Sequence, residues 1–321
     1  MSDSKQSSNL MAFGFLFTLI AVVALIALIL TNSSADTQQN ASVTEAPPAF
    51  NNDMVVATST LGTHASSISP SPHSTKTLYV HGTVTDPNGC ETIDNTTLWD
   101  IAFYSTVLAD EACIADEQQC YQPAASGLTF TDCSGPTDTT LTYEFQVPLQ
   151  YFADAAGWTS YAKVNDPTLD PVQSDTDSTT TTIASLYAIN VNETSVEYGE
   201  QIVGATSASG VGVTVQNWGN VDGLDPLVSQ NNASGDTEDP ATGRWLCTVG
   251  TMPVTATTIS NAIAGTYTAM SNTPTAVDIS IPQATAADDV LSDVDFYTKL
   301  TIPEGVGGTC SSVLVIGAGG T

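Results

Sequence analysis

The chain has 321 residues, 34 of them acidic and 5 basic, for a formal net charge of −29. Charged residues amount to 12%, about half of the roughly 25% in an average globular chain, so it is the basic side chains that are missing and Ser and Thr that fill their places. Such a surface repels polyanions, which disfavours nucleic acid and anionic lipid headgroups as partners.

The first element is the run Leu10–Leu30, LMAFGFLFTLIAVVALIALIL, without a single charge. About 21 residues at about 1.5 Å of rise span a hydrocarbon core of about 30 Å, which predicts a membrane anchor over 10–30. Lys5 lies in the flank Met1–Asn9, whereas the other flank carries Asp36 and no base. The positive side stays in the cytoplasm, so 1–9 is expected inside and the remainder outside, as a single-pass protein. A cleaved signal peptide ending near Ser33-Ser34-Ala35 is the rival, although the run exceeds the usual 7–15 apolar residues of that class. Gly14-Phe15 and Phe17-Thr18-Leu19-Ile20 also echo a pilin terminus, but a pilin's fifth mature position would be Glu and here it is Leu19. A pilin-like filament subunit is therefore the alternative.

Residues 31–76 are rich in Ser, Thr, Ala, Asn and Pro, with Pro47-Pro48 and Ser69-Pro70-Ser71-Pro72. Without sustained periodicity they predict a flexible, disordered stalk. From Thr77 the texture changes to alternating β-branched and aromatic runs bounded by turn residues. Strands are expected at Thr77–Thr85, Leu98–Thr106, Leu141–Pro148, Trp158–Val164 and Thr179–Val191, then at Val211–Trp218, Trp245–Val249, Ala276–Pro282, Phe296–Pro303 and Ser311–Ile316. Asp110–Gln119 is the best candidate for a short helix. Strands at this spacing indicate an all-β fold of two tandem β-sandwiches, 77–190 and 191–321.

Six cysteines outside a membrane read as disulfides. Two fall in the second half, so Cys247–Cys310 pair, closing a loop whose chain-entropy effect is roughly 4 kcal/mol. Three pairings can be drawn among Cys90, Cys113, Cys120 and Cys133, with Cys113–Cys120 and Cys90–Cys133 preferred. No cofactor is required by the sequence. Calcium is the one cation whose oxygen chemistry suits the acidic turns: Asp86, Asn88, Glu91 and Asp94 are the first choice, ahead of Asp110, Glu111, Asp116 and Glu117, and of Asp236, Glu238 and Asp239. There it would stiffen the turn that holds Cys90. Sequons stand at Asn95, Asn192 and Asn232, with two more at Asn32 and Asn40, the number that chance supplies in an Asn- and Ser/Thr-rich chain.

Catalytic signals are missing. There is no GxSxG, HExxH or phosphate-binding loop. Nucleophilic catalysis needs a base, and of the three histidines only His81 lies outside the expected stalk, on a strand. A ligand-binding module or hydrolase would need a pocket lined by Trp99, Trp158, Trp218 or Trp245, for which core packing is the simpler role.

The segments V-H-G-T-V-T-D-P-N-G-C-E (Val80–Glu91), F-Y-S-T (Phe103–Thr106), C-Y (Cys120, Tyr121), Y-F-A-D (Tyr151–Asp154), S-L-Y-A-I-N-V (Ser185–Val191), V-T-V-Q-N-W-G-N (Val213–Asn220) and F-Y-T-K-L-T-I-P (Phe296–Pro303) resemble a family of two-domain immunoglobulin-like surface proteins of candidate-phylum bacteria and archaea. The resemblance covers 77–321 and implies immunoglobulin-like sandwiches on an anchored envelope protein. It brings no catalytic residues. The expectation is a non-enzymatic cell-surface structural or adhesion protein that meets envelope proteins or neighbouring cells, in part by adding strands at exposed sheet edges.

Overall fold

The computed structural model describes residues 45–108, 112–124, 127–135, 137–166, 173–233, 242–287 and 292–319. The expected anchor Leu10–Leu30 and the flank Met1–Asn9 lie outside the described residues, and among those described no helix is long and apolar enough to cross a membrane.

The amino-terminal half contributes β1 (Ala49–Phe50), β2 (Val55–Ala57), β3 (Ser67–Ile68), β4 (Lys76–Thr85), β5 (Trp99–Ser105), β6 (Cys120–Tyr121), β7 (Thr129–Thr131), β8 (Thr140–Leu149), β9 (Gly157–Asp166) and β10 (Gln173–Ile183). One sheet runs β1-β4-β8-β7, with β2 also on β4; the other runs β3-β10-β9-β5-β6. Period-2 alternation decides which side chains meet between them. On β4, Leu78, Val80 and Val84 are buried while Tyr79, His81 and Thr83 are partly exposed. These face Ile101 and Phe103 of β5 and Trp158, Ala162 and Val164 of β9 in one continuous core. Phe103 and Trp158 stack at 5.0 Å, and Phe50, Trp99 and Tyr143 meet at 5.0–5.7 Å.

The carboxy-terminal half contributes β11 (Ile189–Val191), β12 (Val211–Asn217), β13 (Asp225–Asn232), β14 (Trp245–Val249), β15 (Thr251–Met252), β16 (Thr257–Ser260), β17 (Thr268–Ala269), β18 (Thr275–Ala276), β19 (Asp293–Leu300) and β20 (Gly307–Gly319). Its sheets are β11-β12-β19-β16-β17 and β15-β14-β20-β13-β18. The core between them divides in two: Val213, Val215, Leu224, Val228, Ile281 and Phe296 form one cluster, and Trp245, Met252, Ala256 and Leu300 form another.

Several expectations need correction. The stalk expected over 31–76 is folded wherever it is described. From Ala49 onward it supplies β1, β2 and β3, and Phe50, Met54, Val56 and Ile68 sit in the first core. The physical reason is that strands of two or three residues need only one or two apolar anchors each, too few to show as periodicity. Thr179–Val191 is two strands, not one: β10 belongs to the first pair of sheets, whereas β11 pairs with β12 in the second. No helix forms over 112–119, where a turn closes through an isolated bridge between Asp116 and Cys120. Of Ala276–Pro282, only Ala276 is in a strand; Ile281 makes an isolated bridge to Leu224.

Candidate functional site

The acidic turn after β4 is built inward. Asp86 is fully buried, and its carboxylate accepts the Asn88 N–H at 2.8 Å and the Thr92 hydroxyl at 2.6 Å. Asn88 accepts the Ala46 N–H and donates to the Ala46 carbonyl, holding the incoming chain. Glu91 and Asp94 are exposed. Thus Asp86 and Asn88 spend their oxygens on the turn and on the strap 45–57 that precedes it. Among the described residues no three His, Cys, Asp or Glu side chains converge as metal ligands. Asp110 and Glu111, and Asp236, Glu238 and Asp239, lie outside the described residues.

All six cysteines are paired: Cys90–Cys133, Cys113–Cys120 and Cys247–Cys310. The last joins β14 to β20 at directly opposed positions. Of the sequon residues, Asn95 is exposed and caps a short turn by accepting the Thr97 N–H. Asn192 is exposed beside Asn190. Asn232 is only 7% exposed, and its side-chain Oδ1 accepts from the Thr242 hydroxyl and from the Arg244 N–H, so this side chain is held inside the fold.

The histidines serve packing. His64 accepts the Val56 N–H, the His81 ring bonds the Gly62 carbonyl, and His73 stacks on Trp218 at 4.2 Å. Trp99, Trp158 and Trp245 are core residues.

Two features escaped the sequence. The first is a joint within the compact unit that runs from Glu45. Asn220 donates to the Ala153 and Ala184 carbonyls at 2.9 and 3.1 Å and accepts the Leu186 N–H at 2.6 Å. Gln283 donates to the Phe152 carbonyl, and Tyr151, Phe152 and Ala284 pack together with Leu186. A side chain at Gly219 would collide with the Leu186 carbonyl, which is why the turn beside the joint needs glycine.

The second is a cleft of about 610 Å³ in the carboxy-terminal half. Val191, Val196 and Tyr198 form one wall, Leu314 and Ile316 of β20 another, and Trp245 sits among the lining residues. Tyr198 reaches inward to the Thr298 hydroxyl at 2.8 Å and meets Trp245 edge-on at 5.9 Å. Burial pushes the Tyr198 phenol above its ordinary range. Glu193 and Glu197 are the acidic lining residues, and among the described residues no basic side chain lines the cleft.

No protein-family model and no curated protein sequence matches the chain. Among solved structures it is similar to a chaperone–tip adhesion subunit complex of Csu pili from Acinetobacter baumannii, at 11% identity and TM-score 0.35, covering 79% of this chain and 97% of that one. It is also similar to the C-terminal domain of the Streptococcus agalactiae AgI/II polypeptide BspA, at 10% identity and TM-score 0.25, covering 84% and 99%. Latent PorU from Porphyromonas gingivalis is similar at 13% identity and TM-score 0.26, over 88% of this chain and 21% of that one. None of these likenesses assigns a function.

Proposed function

We propose that the chain is a non-enzymatic cell-surface structural or adhesion protein. In this reading Leu10–Leu30 holds it in the membrane, and two immunoglobulin-like sandwiches are displayed outside. The observation that carries the proposal is the complete pairing of the cysteines into three disulfides, with none free. Such bonds persist in oxidising compartments. The apolar run without charges and the scarcity of basic residues support the same placement. The test is protease treatment of intact cells. Cleavage is expected within 31–44, releasing a soluble disulfide-bonded fragment that begins near Glu45. A chain that becomes cleavable only after permeabilisation, or whose thiols are free in native material, would overturn the proposal.

A further inference from the structure

Sheet margins in this molecule are mostly blunt: β1, β3, β6, β7, β11, β15, β17 and β18 are two or three residues long. β20 is different. It runs for 13 residues, and none of them pairs on both sides, since Gly307, Cys310 and Ser311 pair with β14 alone and Ser312–Gly319 with β13 alone. Successive strand residues direct their backbone groups to alternate sides. About half of the N–H and C=O groups of Ser312–Gly319 therefore face no strand among the described residues.

Natural edges are guarded by charge, proline or a bulge. Two other long strands with partly open margins carry such guards, Pro148 on β8 and Asp175 and Asp177 on β10. Ser312–Gly319 reads SVLVIGAG and has neither charge nor proline. Val313 and Val315 are 42% and 37% exposed.

The cleft lies beside this margin. Ser311 and Val313 from one face of β20, and Ser312 and Leu314 from the other, all line it, so it runs along the strand's edge and not over one face. Across it, β11 stops pairing early: the Asn192 N–H bonds the Thr214 carbonyl, and the Glu193 side chain, not a backbone group, takes the Thr214 N–H. The chain then leaves the sheet and forms the far wall. Its volume falls within the roughly 300–1,000 Å³ of ligand sites, and its lining alternates aliphatic side chains (Val191, Val196, Val313, Leu314) with polar and acidic ones (Glu193, Glu197), which offers little to an anion.

We propose that this cleft accepts an extended segment of a partner protein, laid as an added strand against β20. Aliphatic side chains at alternate positions would enter the cleft, and flanking Lys or Arg would meet Glu193 and Glu197. Main-chain hydrogen bonds supply affinity in this mode and alternate side chains supply specificity. The net charge of −29 selects a basic segment and opposes a second copy of this acidic chain. The inference deepens the adhesion reading and rests on it only for the partner's access. A solution test on purified protein therefore fails or succeeds independently of where the protein resides.

The experiment titrates full-length protein in micelles with a synthetic peptide of alternating Val and Thr flanked by lysines, and with its glutamate-flanked counterpart. Saturable binding of the lysine peptide, at least about tenfold tighter than the glutamate one, is expected, with loss of at least about tenfold in V313K/V315K. Both positions are exposed, so the melting temperature should stay unchanged. If that variant does not fold, Val196→Lys in the opposite wall gives the same readout. Failure of both peptides to bind, equal binding of the two, or binding indifferent to these substitutions would overturn the proposal. So would self-association abolished by V313K/V315K in place of peptide binding.

Discussion

At Tyr143 a phenol is fully buried, and no described residue accepts its proton or donates to it. Burial pushes its ionisation upward, and Asp177 and Asp53 reinforce the shift. Gly82 makes room for it: a Cβ there would lie 2.6 Å from the hydroxyl and 3.2 Å from an Asp53 carboxylate oxygen. An orphaned hydroxyl costs about 1–3 kcal/mol. Tyr143→Phe should therefore raise the unfolding free energy by about 1 kcal/mol, whereas Gly82→Ala should lower it by about 1–3 kcal/mol. Denaturant titration of the two variants checks both signs. Nearby, Asp177 is buried and accepts the N–H groups of Ser178 and Met54. Desolvation by burial holds its carboxyl above the usual carboxylate range, with those N–H groups opposing and Asp53 and Asp175 adding to it. A carboxyl with a raised folded value binds more protons in the fold than in the unfolded chain. Its contribution is fully present below the unfolded value and is lost as pH rises through the folded one. Wild type should gain stability relative to Asp177→Asn between about pH 7 and about pH 4. A difference in melting temperature that stays flat or shrinks on acidification would refute this.

At the scale of elements, the strap 45–57 is bound to both sheets of the first core. β1 and β2 pair with β4, while Asp175 and Asp177 on β10 take the Phe50 and Met54 N–H groups. Phe50→Ala should cost about 3 kcal/mol, and an unchanged urea midpoint would show that the strap is not part of the cooperative core. Long strands were legible in the sequence because their apolar residues alternate over many positions; Lys76–Thr85 is buried at every second residue from Leu78 to Val84. The strap was not legible, since Phe50 is followed by Asn51-Asn52-Asp53 and the apolar run Met54–Ala57 is only four residues long, too short to show a period. Most of β10 is Ser, Thr and Asp, and its start gave no hydrophobic signal. Asn217-Trp218-Gly219-Asn220 could be read as a turn but not as a joint, because the carbonyls that Asn220 meets lie 36 and 67 positions away. The cleft was hidden for the same reason: its walls come from β20 and from 191–198, far apart in the chain.

For the molecule as a whole, the joint supplies the contacts through which its halves would unfold together. Asn220 is 3% exposed, and replacing it by Ala leaves two carbonyls and one N–H without their partner. That should cost about 2–4 kcal/mol and split one calorimetric transition into two; a variant that still melts once, at the wild-type temperature, would show that the contact couples nothing. The position of the strap has a mechanical corollary. A chain held by its amino end takes tension first where Asn88 clasps Ala46, and then at Ala49–Phe50, a two-residue pairing with β4. Peeling 45–75 away would pay out about 31 residues, on the order of 100 Å of slack, while every disulfide stayed closed. A chain tethered in this way would carry a reserve of length that yields under a pull and re-zips when the pull ends.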